Sequence, residues 1–378
     1  MYVTREELKK IRRDLHQIPE LAFDLFLTRD YVKNLLVNMG YETIDTAKTG
    51  LVAVKKGQSD EAIAFRSDMD ALPVTELTGV DFLSKHQGKM HACGHDGHMT
   101  MLLGFADYLK DKKELKKTIV LIFQPAEEGP GGAKIIIEDG IFERFNIKKI
   151  FGIHLYPGLE EGLYGLTDGP MMAQNGEFNI SVKGVSAHGA QPHKGKDSVL
   201  AAASLVQAYQ QIISRRLDPL DPAVITIGTI EGGEARNIIA QEVKMTGTIR
   251  AFSDHIYQTI KKEMQKIVEG IKIMYDVKID HEIIDYYPTV ENDQHLFETL
   301  KTSLKKEQYD ILKPMMFAED FAFYQKVVPG MFVMLGTKND QKGYIHPLHS
   351  CYFNFDEIVL EKGVELYIKL ATLHGAIK

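Results

Sequence analysis

The sequence predicts an α/β protein with a mostly parallel sheet and helices on both faces, into which a smaller α+β domain is inserted. Three observations predict this. Short apolar runs alternate with helical stretches through the first part of the chain, the pattern switches to β-α-β-β-α-β near Asn175, and helical and strand signals resume after Pro288. At 378 residues the chain exceeds one ordinary domain and is long enough for two cores.

The elements follow in order. Thr4 and Glu7 have the spacing of a capping box, and Leu8, Ile11 and Leu15 fall on one helical face behind it. A second helix is predicted from Thr28 to about Met39, with Gly40 as its stop. Apolar strands are read at AIAF (62–65), TIVLIF (118–123) and KIFGIHL (149–155), with a helix over 98–110. From there the reading is strand 177–183, helix 198–216, strands 223–230 and 242–252, helix 255–275 and strand 277–286. That order belongs to a ferredoxin-like sandwich. The predicted division is 1–174, an inserted 175–287, and 288–378 ending in a helix over 356–376. No internal repeat is visible.

Composition narrows the function. The formal charge of -7 and the interleaving of lysines with acids argue against nucleic acid as a partner. The N-terminus is charged from Arg5 onward and lacks the apolar core of a signal peptide, and no apolar run approaches the roughly 20 residues of a membrane helix. The only cysteines, Cys93 and Cys351, suggest no disulfide framework, so a cytoplasmic protein away from membranes is expected.

Four segments concentrate the reactive side chains. MHACGHDGH supplies His91, Cys93, His95, Asp96 and His98 in one turn region, and FQPAEEGPGG places Glu127 and Glu128 after the strand 118–123. GIHLYP puts His154 at the end of strand 149–155, and HPLHSCYF carries His346 and His349 in a loop before the last helix. In an open α/β sheet, ligands bind beyond the carboxyl ends of the strands. Glu127, Glu128 and His154 fall there, as does Asp68 just after strand 62–65. Thiolate, imidazole and carboxylate together suit Zn²⁺, Mn²⁺ or a similar ion. Consecutive glutamates diverge on leaving a strand, so one can ligate while its neighbour reaches water.

Each residue alone has an ordinary explanation. A lone His or Glu at a strand end is commonly a surface or capping residue, and a lone cysteine a small apolar filler. Gly129, Gly131 and Gly132 could mark a helix entry or a phosphate cradle, but the Gly-Lys-Ser/Thr of a P-loop is absent. What outweighs these is the recurrence of all four segments within one alternating α/β pattern.

With these motifs in place, the chain resembles the amidohydrolase branch of the aminoacylase/carboxypeptidase metallopeptidase family. That branch includes hippurate hydrolases, plant indole-acetyl-amino-acid hydrolases and bacterial N-acetyldiaminopimelate deacetylases. The likeness is carried by RRDLHQIPE (12–20), FRSDMDALPV (65–74), MHACGHDGH (90–98), FQPAEEGPGGA (123–133) and GIHL (152–155). Further on it is carried by SAHGAQPH (186–193), ARNIIA (235–240), GTIR (247–250), FAEDF (317–321) and LHS (348–350).

The resemblance implies a metal-dependent exopeptidase-like catalytic domain with an inserted lid and dimerisation domain. It implies two divalent ions (Mn²⁺, Zn²⁺, Co²⁺ or Ni²⁺) held by Cys93, His95, Glu128, His154 and His349 and sharing the Cys93 thiolate. His95 and His154 would complete one site, Glu128 and His349 the other. Glu127 would be the general base, and Asp68 would orient a ligand or hold the site in shape. Other branches carry a ligating His where this chain has Arg66 and a bridging Asp where it has Cys93. His188, Asn237 and Arg250 would contact substrate, with Arg250 gripping an α-carboxylate and His188 an oxyanion, reaching across a dimer interface. The expected activity is hydrolysis of N-acyl amino acids or short peptides by a homodimer joined through the inserted domain. Deacetylation of N-acetyldiaminopimelate and dipeptidase or carboxypeptidase action are the alternatives. A non-catalytic peptide or amino-acid binder is the alternative of a different class, disfavoured because no ligand and no base is missing.

Overall fold

The computed structural model describes residues 4–377, which form two compact units. The first comprises the described residues up to Gly169, Glu291–Lys313 and those from Asp320 onward, and the second comprises Pro170–Val290 and Pro314–Glu319.

In the first unit, α1 (Arg5–His16) opens with the capping box, the Glu7 amide donating to Thr4 Oγ1 at 3.3 Å and the Thr4 amide to Glu7 Oε2 at 2.7 Å. Its Leu8, Ile11 and Leu15 are buried. α2 (Phe26–Asn38) begins two residues before the predicted Thr28. Thr28 is no cap, because its amide and hydroxyl both donate to Glu20 Oε2, at 2.9 and 3.0 Å. Gly40 follows at φ +85°, the left-handed stop that glycine adopts without strain.

The strands are β1 (Thr43–Thr46), β2 (Gly50–Lys55), β3 (Ser59–Asp68), β4 (Lys117–Gln124), β5 (Ile147–Glu160) and β6 (Tyr164–Leu166), with α3 (His95–Lys110) between β3 and β4. Strands Tyr309–Ile311 and Gly330–Lys338 complete an eight-stranded sheet. Its order is β1, β2, β4, β3, β5, Gly330–Lys338, β6 and Tyr309–Ile311. The centre is parallel, β3 pairing with β4 and β5, and β5 with Gly330–Lys338. β1 and β2 form an antiparallel edge. Residues 62–68, 119–124 and 330–337 are buried without alternation, so these strands are covered on both faces. That is why they read as continuous apolar runs.

Three elements differ from the sequence reading in ways that matter for the site. β3 runs through Asp68, which is its last residue rather than the first of a loop. β5 continues past the predicted end at 155, so His154 lies inside the strand. β5 leaves β3 at the pair Gly152–Arg66 but stays against Gly330–Lys338, a partner distant in sequence, so His154 lies two residues past the last β3 pair and opposite Met334. α3 starts at His95, so His95, Asp96 and His98 sit in its first turn rather than in a loop. Its cap is Gly94 at φ +87°, which offers no side-chain signal. The final helix is Val359–Leu373, shorter than predicted, because Asp356 instead accepts the Ile358 amide at 2.9 Å and Gly375 closes the end at φ +70°.

The second unit carries strands Gln174–Lys183, Ala223–Gly232, Glu242–Ala251 and Lys278–Asp285 with helices Ser198–Arg215 and Asp254–Tyr275. The sheet is antiparallel, in the order Ala223–Gly232, Glu242–Ala251, Gln174–Lys183, Lys278–Asp285, a ferredoxin-like arrangement. Phe178, Leu205, Tyr209, Ile249 and Ile260 are in its core. A two-residue ladder, Ala187–His188 with Ile238–Ile239, is an addition the sequence did not predict. The run Pro314–Glu319 joins this unit through Met315 N–H to Met171 O and Ala173 N–H to Phe317 O, both 2.9 Å. Among the described residues no helix is long and apolar enough to cross a membrane.

Gly97, in the first turn of α3, tests the packing beneath the candidate site. A Cβ there would lie 2.7 Å from Leu155 Cδ1 and 2.8 Å from Phe355 Cζ, and both neighbours are fully buried. Gly97→Ala should therefore cost about 1–3 kcal/mol by overpacking, read as a lower urea midpoint at unchanged slope. An unchanged midpoint would show that α3 has slack against β5.

Candidate metal centre

The elements deliver their side chains to one rim. β3 ends at Asp68, the turn before α3 presents Cys93, and α3 opens with His95. The loop after β4 carries Glu127 and Glu128, β5 carries His154, and a loop after Gly330–Lys338 carries His349. Two of these loops are held in a conformation that non-glycine residues seldom adopt, Ala126 at φ 57° and His349 at φ 66°. The His349 amide donates to Ala92 O at 2.8 Å, tying the C-terminal loop to the neighbour of Cys93.

Among the described residues five overlapping groups have ligand atoms within 4.8 Å of one another. Three are Asp68 with His95 and His98, His95 with Glu127 and Glu128, and Glu127 with Glu319 and Asp320. The other two contain a thiol: Cys93, His95 and His154, and Cys93, Glu128 and His349. Cys93 belongs to both. His154 Nε2 is 3.5 Å from Cys93 Sγ, and His349 Nε2 is 3.2 Å from Glu128 Oε1.

The histidines are oriented by backbone carbonyls. His95 Nδ1 lies 2.7 Å from Asp70 O, and His154 Nδ1 lies 2.7 Å from Leu155 O. A carbonyl only accepts, so each Nδ1 carries the hydrogen and each Nε2 faces the cluster, the arrangement that prepares imidazole for a metal. His95 Nε2 is buried without a hydrogen-bond partner, with Asp68 Oδ2 3.7 Å away. This orphaned nitrogen, the shared thiol and the nearby carboxylates fit a divalent cation.

Electrostatics agree. Burial pushes the Cys93 thiol well above its ordinary range, and Glu128, Glu127 and Asp68 push it further. Burial drives the His154 imidazole well down, with His98 adding to the effect. Burial also lowers His95, but Asp68 and Asp70 outweigh it and lift the group to about 10. Burial would raise Asp68, yet His95, His98 and Arg66 hold it well below the usual carboxylate range. Glu128 is likewise held low against burial, by His349 and His95.

The other histidines and acids of the four segments are placed elsewhere. His98 Nδ1 donates to Asp68 Oδ1 at 2.6 Å and its Nε2 accepts the Leu155 amide at 2.9 Å, so neither nitrogen is available to a metal. Asp96 is an anchor, accepting Arg12 Nε at 2.9 Å and His16 Nδ1 at 2.8 Å. His91 is buried and neutral, its imidazole lowered by burial to about 3. His346 lies tilted against Tyr352, ring centroids 5.2 Å apart, and joins none of the donor groups.

Sequence reasoning passed over the supporting residues. Arg66 donates to Asp68 Oδ2, Gln124 Oε1 and Asp320 Oδ1, each at 2.9 Å. Arg12 reaches Asn354 Oδ1 at 2.8 Å as well as Asp96, so α1 links the Cys93 loop to the C-terminal loop. The signal was present in RRDLHQ, whose Arg12 and His16 face inward one helical turn apart.

In the second unit His188 pairs with Ile238 on the short ladder, and Asn237, just before that strand, accepts the Gly189 amide on its backbone O at 2.7 Å. Arg250 lies on strand Glu242–Ala251 opposite Val224 and Asn175. It is half-buried, burial lowers its pKa, and among the described residues no carboxylate pairs with it at salt-bridge distance.

Fold and donor set define a class: metalloenzymes whose centre is assembled at the carboxyl rim of a parallel-centred sheet and whose catalytic unit is interrupted by a ferredoxin-like insertion. The chain belongs to peptidase family M20/M25/M40, whose pattern matches residues 64–373. It is 39% identical over 367 residues to an N-acetyldiaminopimelate deacetylase of Bacillus subtilis, covering 96% of each chain. It is 38% identical to the IAA-amino acid hydrolase ILR1-like 4 of Arabidopsis thaliana, covering 96% of this chain and 84% of that protein. Among solved structures it resembles a putative aminohydrolase of Staphylococcus aureus (33% identity, TM-score 0.92, 98% and 97% coverage). It also resembles a dinuclear metal-binding M20 peptidase of Bacillus subtilis (32% identity, TM-score 0.85, 98% coverage of each).

These shifts predict the pH dependence of metal uptake. In metal-free protein near neutrality the shifts keep protons on the Cys93 thiol and the His95 imidazole, and a cation bound by both would displace them. Affinity should therefore rise with pH between about 6 and 8, by up to about tenfold per unit for each proton displaced. Calorimetry in buffers of different ionisation enthalpy should show proton release. Uptake that releases none would contradict this charge arrangement.

Proposed function

We propose that the protein hydrolyses the amide bond of N-acyl amino acids, with two divalent ions held by Cys93, His95 and His154 on one side and by Cys93, Glu128 and His349 on the other. The observation that carries this is the pair of donor groups sharing one thiol, with the Nδ1 atoms of His95 and His154 occupied by carbonyls. Divalent ions held there would supply Lewis acidity, polarising the amide carbonyl and making water a better proton donor.

The chain's own residues do the rest. Glu127 is buried beside Glu128 and within the same donor cluster as His95. It takes the proton of the attacking water and returns it to the leaving amine, a role typically worth about 10²–10⁴ in rate. Asp68, fixed by Arg66 and His98, keeps its negative charge beside His95 and holds that ligand's side of the site. Arg250, which has no ion-pair partner among the described residues, receives the α-carboxylate of the substrate as a planar fork. His188 stabilises the oxyanion, and Asn237, which precedes the strand paired with His188, contacts the substrate.

The substrate class is supported by relatives acting on different acyl groups, an N-acetyldiaminopimelate deacetylase and an IAA-amino acid hydrolase at nearly equal identity. What those substrates share is an acylated amino acid, so the reading is broad. N-acetyldiaminopimelate is the specific second candidate, since deacetylases of that name from four further bacteria are 36–39% identical. We also place the enzyme in the cytoplasm, in keeping with its two free cysteines. It works there as a homodimer through the second unit. Ala223–Gly232 is an edge strand with Val224 and Ile230 exposed, and such an edge is a template for pairing.

The two glutamates should fail differently. Glu127→Gln should keep both ions and leave KM nearly unchanged while kcat falls by about 10²-fold or more, because Gln cannot accept a proton. Glu128→Ala should lose an ion and regain part of its activity in excess metal. Elemental analysis and kinetics on a panel of N-acetyl, N-benzoyl and N-succinyl amino acids would read both effects. Near-normal turnover by Glu127→Gln would remove it as the base, and no turnover of any panel member by metal-loaded wild type would refute the activity.

For the dimer, Ile230→Lys should shift sedimentation at micromolar concentration toward the monomer. A wild-type protein that is purely monomeric would refute that part of the reading.

A further inference from the structure

The two consecutive glutamates raise a geometric problem. Their side chains diverge, so the rotation of a short backbone segment decides which carboxylate meets a metal and which meets water. That segment follows Ala126 at φ 57°, a conformation the local sequence does not favour. Something outside the loop must hold it.

We propose that Asp70 is the positioning residue that assigns the two glutamates their roles. The inference rests on the reading of Glu127 as base and Glu128 as ligand. Asp70 is 1% exposed. Its Oδ1 accepts the Glu127 amide and its Oδ2 the Glu128 amide, both at 3.0 Å. One carboxylate therefore grips two successive N–H groups, which only a side chain with two acceptor oxygens can do. Its backbone carbonyl accepts His95 Nδ1–H at 2.7 Å. Asp70 thus fixes the base, a ligand of one donor group and a ligand of the other, by two separate kinds of contact.

Asp70 is itself anchored. The Ala71 amide donates to Glu20 O at 2.8 Å. Leu72 and Met90 exchange backbone hydrogen bonds at 3.0 Å, pinning this segment to the one that leads into Cys93. The carboxylate therefore acts from a fixed point, which is what sub-ångström placement of a catalytic pair requires.

The division between side chain and backbone yields a separable test. Asn at this position keeps the carbonyl contact to His95 and loses only the longer charge contact of Oδ1, 3.6 Å from His95 Nδ1. It offers the loop one acceptor oxygen and turns its amide nitrogen toward one of the two N–H groups. Full-length Asp70→Asn and Asp70→Ala would be titrated, metal-free, with Mn²⁺ by calorimetry, and their unfolding temperatures compared with wild type in the absence of metal. Steady-state kinetics on an N-acetyl amino acid would be measured at saturating Mn²⁺.

Wild type should show two binding steps. Asp70→Asn should keep one step within about threefold and weaken the other by about 10–100-fold, with kcat reduced at saturating Mn²⁺ and KM little changed. Asp70→Ala should repeat that pattern. A merely structural role would instead weaken both steps together, in line with a lowered unfolding temperature. Both steps unchanged, both weakened alike, or failure of both variants to fold would overturn the proposal. A single step in the wild type would overturn the two-ion reading, and this inference with it.

Discussion

Cys93 sits where three carboxylates, those of Glu128, Glu127 and Asp68, act on a thiol with little access to water. Burial and negative charge both favour the protonated thiol, so the site as built by the chain is poised against the thiolate. A bound cation inverts that preference, because it compensates the acids and deprotonates a coordinating sulfur. The same surplus of acid lifts His95, whose Nε2 is left without a hydrogen-bond partner. The acids of the centre are paired internally only in part, Glu128 with His349 at 3.2 Å and Asp68 with His95 at 3.7 Å, and the surrounding structure holds the remaining groups in place. Asp68 is taken by Arg66 and His98, and the imidazole Nδ1 atoms of His95 and His154 by carbonyls.

Support comes from segments far apart in the chain. α1 supplies Arg12 and His16 to Asp96, directly behind His95, and Arg12 also reaches Asn354 in the segment that follows His349. The parallel centre of the sheet brings β3, β4 and β5 to one rim, so Asp68, the glutamate loop and His154 converge without long loops. Burying Arg12 and Arg66 is tolerable only because each has several hydrogen-bonded partners, and removing one partner would leave a charge stranded. Stability and chemistry are therefore coupled here. The groups that hold the fold shut are bonded to Asp96 and Asp68, next to the candidate ligand His95.

Much of this was legible in the sequence. The apolar runs gave the central strands because a strand buried on both faces must be apolar throughout. The β-α-β-β-α-β order gave the ferredoxin-like unit, since each of its elements carries its own periodicity. The four segments stood out because reactive side chains are concentrated in them, and the choice of Cys93, His95, Glu128, His154 and His349 as ligands and of Glu127 as base came from the family resemblance. Less was legible where hydrogen bonding decides. Nothing in MHACGHDGH distinguishes His95, with a free Nε2, from His98, with both nitrogens engaged, or marks Asp96 as an anchor. The start of α3 was hidden because its cap is a glycine backbone. The far half of β5 was hidden because its partner lies in Gly330–Lys338. Asp70 was not singled out because it acts through amides, and amides carry no sequence identity.

The central claim is that one thiolate serves both metal positions. Stepwise loading of metal-free protein with Co²⁺, followed by electronic absorption, tests it most directly. Each of the first two equivalents should add thiolate-to-Co²⁺ charge-transfer intensity, and Cys93→Ser should abolish both increments while d–d bands from the remaining donors persist. Charge-transfer intensity that is complete after one equivalent, or that survives in Cys93→Ser, would contradict a shared Cys93 thiolate.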